Sequence, residues 1–276
     1  MATWSGDELL VYKRKGTQLV SSGNVAITGL EFPSNGAGTT RFEFTGAALP
    51  TIVPLTLIWR VRPVQQTGYY TTFFWAENSF AFFNPDVVLK PYFGCHPYPQ
   101  GGAAGTVHNW EISVQGVDDI VDENANDTTV VKDGTWYQQA AVATEIATDL
   151  DVNYYWNLSV NSNRLINYRS TGTWFDNQTW TSPALTFGDA PWSPTNELLS
   201  GVLRGIQIYQ AALTLAQIDT LRVLETDSAV LTTTASLSLT PWYLNMNPTP
   251  TDINDKSGSA HHPAWVGANR PTLWQG

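Results

Sequence analysis

Glu111, in Trp110-Glu111-Ile112-Ser113-Val114, is the kind of carboxylate a polysaccharide hydrolase would use, but its neighbours do not suit that role. Retaining glycoside hydrolysis takes two carboxyl groups about 5 to 5.5 Å apart. On an extended strand, residues two apart share a face, and the residue two beyond Glu111 is Ser113. Glu145 and Asp149 also have the wrong spacing. His96 and His108 bracket a Gly-rich stretch, with Glu111 three residues past His108. Two imidazoles and a carboxylate are a zinc donor set, yet strand geometry sends His108 and Glu111 to opposite faces. His96, before Pro97, reads as a turn or interface residue, and the adjacent pair His261-His262 as capping contacts.

Hard oxygen donors cluster once. Asp118, Asp119, Asp122 and Asp127, with Glu123 and Asn126 among them, lie within ten residues and form the candidate calcium set. The run lacks the spacing and central glycine of an EF-hand, so calcium bound there would order a loop and take no part in catalysis.

Aromatic rings offer a different chemistry. Trp174, Phe175, Trp180 and Trp192 sit among Asn, Asp, Thr and Ser, where a sheet core is not expected. Asn177 and Gln178 stand beside them and supply the amide donors and acceptors that sugar hydroxyls need. These six residues form the candidate ligand patch, and an assembly interface is the competing use of the same rings. A second crowd of rings, from Tyr69 to Tyr98, is read as mostly core.

Strands must carry these groups. Leu55, Leu57, Trp59 and Val61 alternate with Thr56, Ile58, Arg60 and Arg62, the pattern of a half-buried strand that ends at Pro63. Arg41 to Phe44 and Trp110 to Val114 repeat it between turn residues, which implies two packed antiparallel sheets. A single short helix is expected from Thr214, whose spacing to Gln217 is that of a capping box. Beyond residue 226 the chain turns Ser/Thr-rich and is then punctuated by Pro241, Pro248, Pro250, Pro263 and Pro271, so no long helix is expected there. Trp242, Tyr243, Trp265 and Trp274 are poor constituents of a disordered tail. The expected organisation is a sandwich over residues 1–225, with any strands in 1–40 included, and a 226–276 extension that packs on it or on a neighbouring subunit.

Composition narrows the partners. The 276 residues carry 14 basic and 24 acidic side chains, a formal charge of -10, which repels phosphate backbones and anionic headgroups. Nucleic acid is therefore not an expected partner. No apolar run reaches the length of about 18 residues that would span a bilayer, so no membrane insertion is expected. The lone Cys95 allows no intrachain disulfide. The N-terminal residues lack the charged start and apolar run of a secretory signal, which points to synthesis in the cytoplasm.

The stretch Gly201 to Thr214, followed by Gln217-Ile218, resembles the last strand and short helix of laminin-G-like domains of the concanavalin A-like superfamily. Arg204 and Ala211 depart from that pattern, where an acid and a base are common. Gly134-Thr135-Trp136 is similar to the start of that family's central Trp strand, and Leu158 to Ile166 to its hairpin. Asp255-Lys256-Ser257-Gly258 with His261 and His262 resembles a phrase that in many relatives lies near the domain's beginning. The resemblance implies an all-β, two-sheet antiparallel jelly roll. Hydrolases of this superfamily carry Glu-X-Asp-X-X-Glu or a close variant, and its alginate lyases carry Arg, Gln-Ile-His and Tyr motifs. This sequence has neither, so the expected protein is not an enzyme. A disulfide-free, acidic, lectin-like domain without a secretion signal suits a bacteriophage virion component, whether decoration, capsid-associated or tail protein. It would recognise glycan or neighbouring subunits, with homo-oligomerisation open. The alternatives are a polysaccharide-active enzyme and a free carbohydrate-binding module.

Overall fold

The computed structural model describes residues 27–32, 41–63, 73–77, 92–99, 108–115, 120–124, 134–147, 149–159, 162–169, 183–189, 199–267 and 269–276. Twelve strands come first: β1 (Thr28–Phe32), β2 (Arg41–Phe44), β3 (Leu55–Pro63), β4 (Phe73–Glu77), β5 (Tyr92–Pro99), β6 (His108–Gln115), β7 (Ile120–Asn124), β8 (Tyr137–Ile146), β9 (Asp149–Ser159), β10 (Ser162–Arg169), β11 (Pro183–Phe187) and β12 (Gly201–Tyr209). Helices α1 (Leu215–Leu221) and α2 (Asp227–Ser236) follow, then β13 (Tyr243–Asn245), β14 (Ala264–Val266) and β15 (Thr272–Gln275). They build two antiparallel sheets. One has eight strands, ordered β10-β9-β8-β3-β12-β1-β15 with β13 also on β12; the other has seven, ordered β14-β2-β11-β4-β5-β6-β7.

Leu55, Leu57, Trp59 and Val61 of β3 join Leu30, Phe42, Phe44, Tyr154, Leu185, Phe187, Leu203 and Tyr243 in the core between the sheets. Phe42 stacks on Phe187 at 5.2 Å, and Phe44 meets Tyr243 edge-on at 4.9 Å. The other face of β3 is not the solvated surface that its alternation suggests. Thr56, Ile58 and Arg60 are buried too, because α1 and α2 lie over that face. Ile58, Ala140, Val142 and Tyr209 form a second core there with Leu213, Ile218, Leu221, Val230, Leu244 and Met246.

Every residue of β12 is buried. Its alternation is broken on purpose: Arg204 pairs with Arg60 and Gln207 with Ile58, so Gly205 and Ile206 together face one residue of β3. This is a β-bulge, and Gly205 takes the positive φ (65°) that glycine adopts without strain. The bulge lets Leu203, Ile206 and Ile208 all enter the inter-sheet core, while Arg204, Gln207 and Tyr209 face the helices.

The capping box at α1 is present, with Thr214 Oγ1 accepting from the Gln217 amide and Gln217 Oε1 accepting from the Thr214 amide. The structure adds a second helix, α2, inside the Ser/Thr-rich run, where one helix in all was expected. Its sequence carries no amphipathic stripe, so hydrophobic periodicity gave no signal. What holds it is local. Thr226 caps the Ala229 amide, Asp227 sits in the first turn, and Thr232 and Thr234 hydroxyls donate to carbonyls four residues back.

Two buried tyrosines give this core a pH limit. Tyr243 donates to the Ile253 carbonyl (2.9 Å) and Tyr209 to Gln207 Oε1 (2.6 Å). Burial pushes both phenols well above their ordinary value of 10. Groups with raised folded pKa values contribute stability that is fully present below the unfolded value, and it is lost as pH climbs above it. Arg204 acts oppositely, since burial draws it down to about 10 against the help of Glu225. Tyr155, also raised by burial, acts in the same direction as the two buried phenols, so the phenols outweigh the single guanidinium. Urea midpoints are expected to stay flat through neutral pH and to fall beyond pH 10. Tyr243→Phe should lessen that fall, and an unchanged slope in this variant would refute the assignment.

Candidate functional site

Strand register defines the two ends of the seven-stranded sheet. Pro183 of β11 pairs with Glu77, the last residue of β4, and Tyr92 of β5 pairs with Gln115, the last of β6, which also pairs with Ile120 at the start of β7. These residues mark the first end, which also carries the 3-10 turn Gly46–Ala48, next after β2. At the opposite end β11 pairs with the start of β4, and β5 ends opposite the start of β6.

The side chains of Trp174, Phe175, Asn177, Gln178, Trp180 and Trp192 lie outside the described residues, as do those of Asp118, Asp119, Asp122 and Asp127. Asp122 stands within β7, opposite Ser113. Among the described residues no three His, Cys, Asp or Glu side chains come together to hold a metal ion. His96 stands opposite Glu111 in the β5–β6 ladder, and His108 opposite Pro99.

At the first end the described side chains form a tight polar and aromatic group. Gln210 ties the chain before β3 to the end of β12, bonding Thr51 through its backbone N–H and C=O and Pro54 through its carbonyl. Trp242, one residue before β13, donates Nε1–H to the Ala48 carbonyl (3.3 Å). His261 lies flat on its indole, with ring centroids 3.4 Å apart and planes 13° from parallel, and its Nδ1 donates to the Trp242 carbonyl (2.8 Å). Both rings remain partly exposed.

Asp255 holds this group in place. Its carboxylate accepts from the Leu244 amide (3.0 Å), the Ser257 amide (2.8 Å), the Ser257 hydroxyl (2.7 Å) and the His261 amide (3.2 Å). The Asp255 N–H donates to His262 Nδ1 (3.0 Å), so that nitrogen carries no proton. Lys256 adds an ion pair to Asp252 (2.6 Å), which with the hydrogen bond it makes holds that carboxyl below its usual range. The Asp-Lys-Ser-Gly-X-X-His phrase is a backbone clasp, and both oxygens of its aspartate are fully engaged. Sequence spacing identified the phrase; that its histidines serve β13 became visible only from the contacts.

No protein-family model matches the sequence, and no curated protein matches it. Solved structures do resemble the fold. A putative carbohydrate binding protein from Bacteroides ovatus superposes with a TM-score of 0.51 at 11% identity, over 91% of this chain and 60% of that one. The heptameric SAP-like pentraxin from Limulus polyphemus gives 0.47 at 14% identity, over 91% and 94%. Tailspike protein 2 of bacteriophage CBA120, in its enzymatically active domain, gives 0.44 at 12% identity, over 76% and 32%. The chain spans three fifths of the Bacteroides protein. At such identities the likeness shows the fold alone, a two-sheet, lectin-like β-sandwich.

Removing the clasp should loosen the whole first end. Asp255→Ala leaves the partly buried amides of Leu244 and His261 without an acceptor, an expected loss of about 3 kcal/mol in urea unfolding. Asp255→Asn, which keeps one acceptor oxygen, should fall between the two. A loss below about 0.5 kcal/mol in the alanine variant would show that the clasp is dispensable.

Proposed function

We propose that this protein is a non-catalytic recognition module that binds glycan through the loops at the first end of the sandwich, and that it works as a component of a bacteriophage particle. The observation that carries this reading is the partly exposed ring stack of Trp242 and His261 at the first end, held on a rigid frame by Asp255. The aromatic and amide residues Trp174, Phe175, Asn177, Gln178 and Trp180, with Trp192, flank β11 in the sequence, and β11 begins at that end. Aromatic faces with amides beside them match the C–H faces and hydroxyls of a pyranose. Loops on a stiff sandwich are where binding residues of such scaffolds concentrate. The similar Bacteroides protein is described as a putative carbohydrate binding protein, which supports the same class of ligand.

The particle role rests on the acidic, disulfide-free composition, and its rival is a free carbohydrate-binding module. Partners under this reading are neighbouring particle subunits and a cell-surface glycan, and calcium at Asp118, Asp119, Asp122 and Asp127 would order that loop. Light scattering of the purified chain, with and without calcium, and a glycan array on the same sample separate these readings. A discrete oligomer that binds a defined glycan is the expected result, with binding reduced at least about tenfold in the Trp174→Ala, Trp180→Ala double variant. A monomer that binds glycan would favour the free module. Steady release of reducing ends from a polysaccharide would overturn the non-catalytic reading.

A further inference from the structure

A second polar and aromatic group lies on the outer face of the eight-stranded sheet. Arg60 pairs with Arg204, and Leu30 with Leu203, which places Gly29 beside Arg204; Gly29 in turn pairs with Trp274. One row across β3, β12, β1 and β15 therefore reads Arg60, Arg204, Gly29, Trp274. Gly29 leaves a gap in it that no other residue could leave, since a Cβ there would come within 2.8 Å of Val202 Cγ1. Trp136, in the turn before β8, reaches over the row. Its ring lies 5.8 Å from the Arg204 guanidinium carbon and meets Trp274 edge-on at 5.1 Å. Both indoles are partly exposed.

The charges in this group are unbalanced. Arg60 and Arg204 share one oxygen, Glu225 Oε2, with Arg60 Nη1 at 2.5 Å and Arg204 Nη2 also in contact. Arg60 Nη2 donates to the carbonyls of Arg222 (2.6 Å) and Leu224 (2.8 Å), so its needs are met. Arg62 Nε donates to the Gly134 carbonyl (3.0 Å) in the turn that carries Trp136. Among the described residues Arg204 Nε has no acceptor, although the residue is only 2% exposed. Among the same residues two buried guanidiniums, Arg60 and Arg204, share the one carboxylate of Glu225, in a chain whose formal charge is -10. The Glu225 side chain is 41% exposed, so the cluster meets solvent there. A buried, fixed arginine with a spare N–H is the donor that a carboxylate fits best.

We propose that this face is a binding site for a carboxylated sugar. The carboxylate bonds Arg204, including its unpartnered Nε, once Trp136 turns aside. The indoles of Trp136 and Trp274 take the apolar face of the ring, and Glu225 accepts a hydroxyl. The site uses none of the residues Trp174 to Trp180, so its success or failure is distinguishable from that of the proposed function.

The test is calorimetric titration of the full chain with trigalacturonate and, as the neutral control, maltotriose, with Trp indole N–H resonances followed in parallel. Trigalacturonate is expected to bind at least about tenfold more tightly than maltotriose, and less tightly as salt is raised. Trp274→Ala, at an edge strand, should weaken it about tenfold, and Glu225→Gln should tighten it several-fold by removing the competing carboxylate. Thermal melting of both variants shows whether the sandwich is intact. Equal affinity for the two sugars, no binding of trigalacturonate, or affinity unchanged in both folded variants would overturn the proposal. So would loss of acidic-sugar binding only in the Trp174→Ala, Trp180→Ala variant.

Discussion

The bulge at Gly205 is the constraint on which the rest of the eight-stranded sheet depends. A strand with strict alternation could not send Leu203, Ile206 and Ile208 into the inter-sheet core and turn Arg204, Gln207 and Tyr209 to the helix-covered face. One extra residue on β12 resets the alternation, and the left-handed backbone at Gly205 makes that residue possible. Its amide bonds the Met246 carbonyl, so the same bulge is also where the chain after β13 is tied down. Because β12 is central and buried along its whole length, its two faces set what each neighbour must supply. Apolar side chains come from β1, β3 and the opposite sheet, and helical cover comes from α1 and α2.

The last third of the described chain closes what the strands before it leave open. β13 pairs with the half of β12 that β1 does not reach, and Thr28 bonds Asn247 through both its amide and its hydroxyl where the two meet. β15 adds an edge to β1, and β14 adds an edge to β2 in the other sheet. A segment with short strands and many prolines can do this because edge strands need only one row of backbone partners. The fixed geometry comes from side chains: Asp255 on β13, Tyr243 on the Ile253 carbonyl, and Trp265 packed on Phe42 at 5.7 Å.

The polar groups of this protein divide by what surrounds them. Asp255 is saturated by backbone donors and acts as structure. Arg204 is held by Glu225 on one side and covered by Trp136 on the other, with one N–H left over. A buried donor without an acceptor is a standing cost that a bound anion would relieve, which gives this site a physical reason to bind. At the first end the partly exposed rings of Trp242 and His261 sit on a stiff frame, so a ligand that covered them would cost them little freedom.

Patterns that are local were legible in the sequence. The alternation of Leu55 to Val61, the turn residues between strands, and the capping box of Thr214 and Gln217 each depend on residues a few positions apart, so the sequence by itself determined the all-β sandwich and where α1 begins. Helix α2 escaped because its stability comes from Thr226, Asp227 and back-bonding threonines and not from an apolar stripe. The stacking of His261 on Trp242 and the engagement of both Asp255 oxygens followed from long-range contacts, which the sequence does not state. The burial of Arg60 and Arg204 was likewise decided only by the tertiary structure. Arg60 reads as the polar side of a half-buried strand, and both arginines become buried because α1 and α2, which begin 11 and 23 residues after Arg204, and a tryptophan from another strand's approach are folded over them.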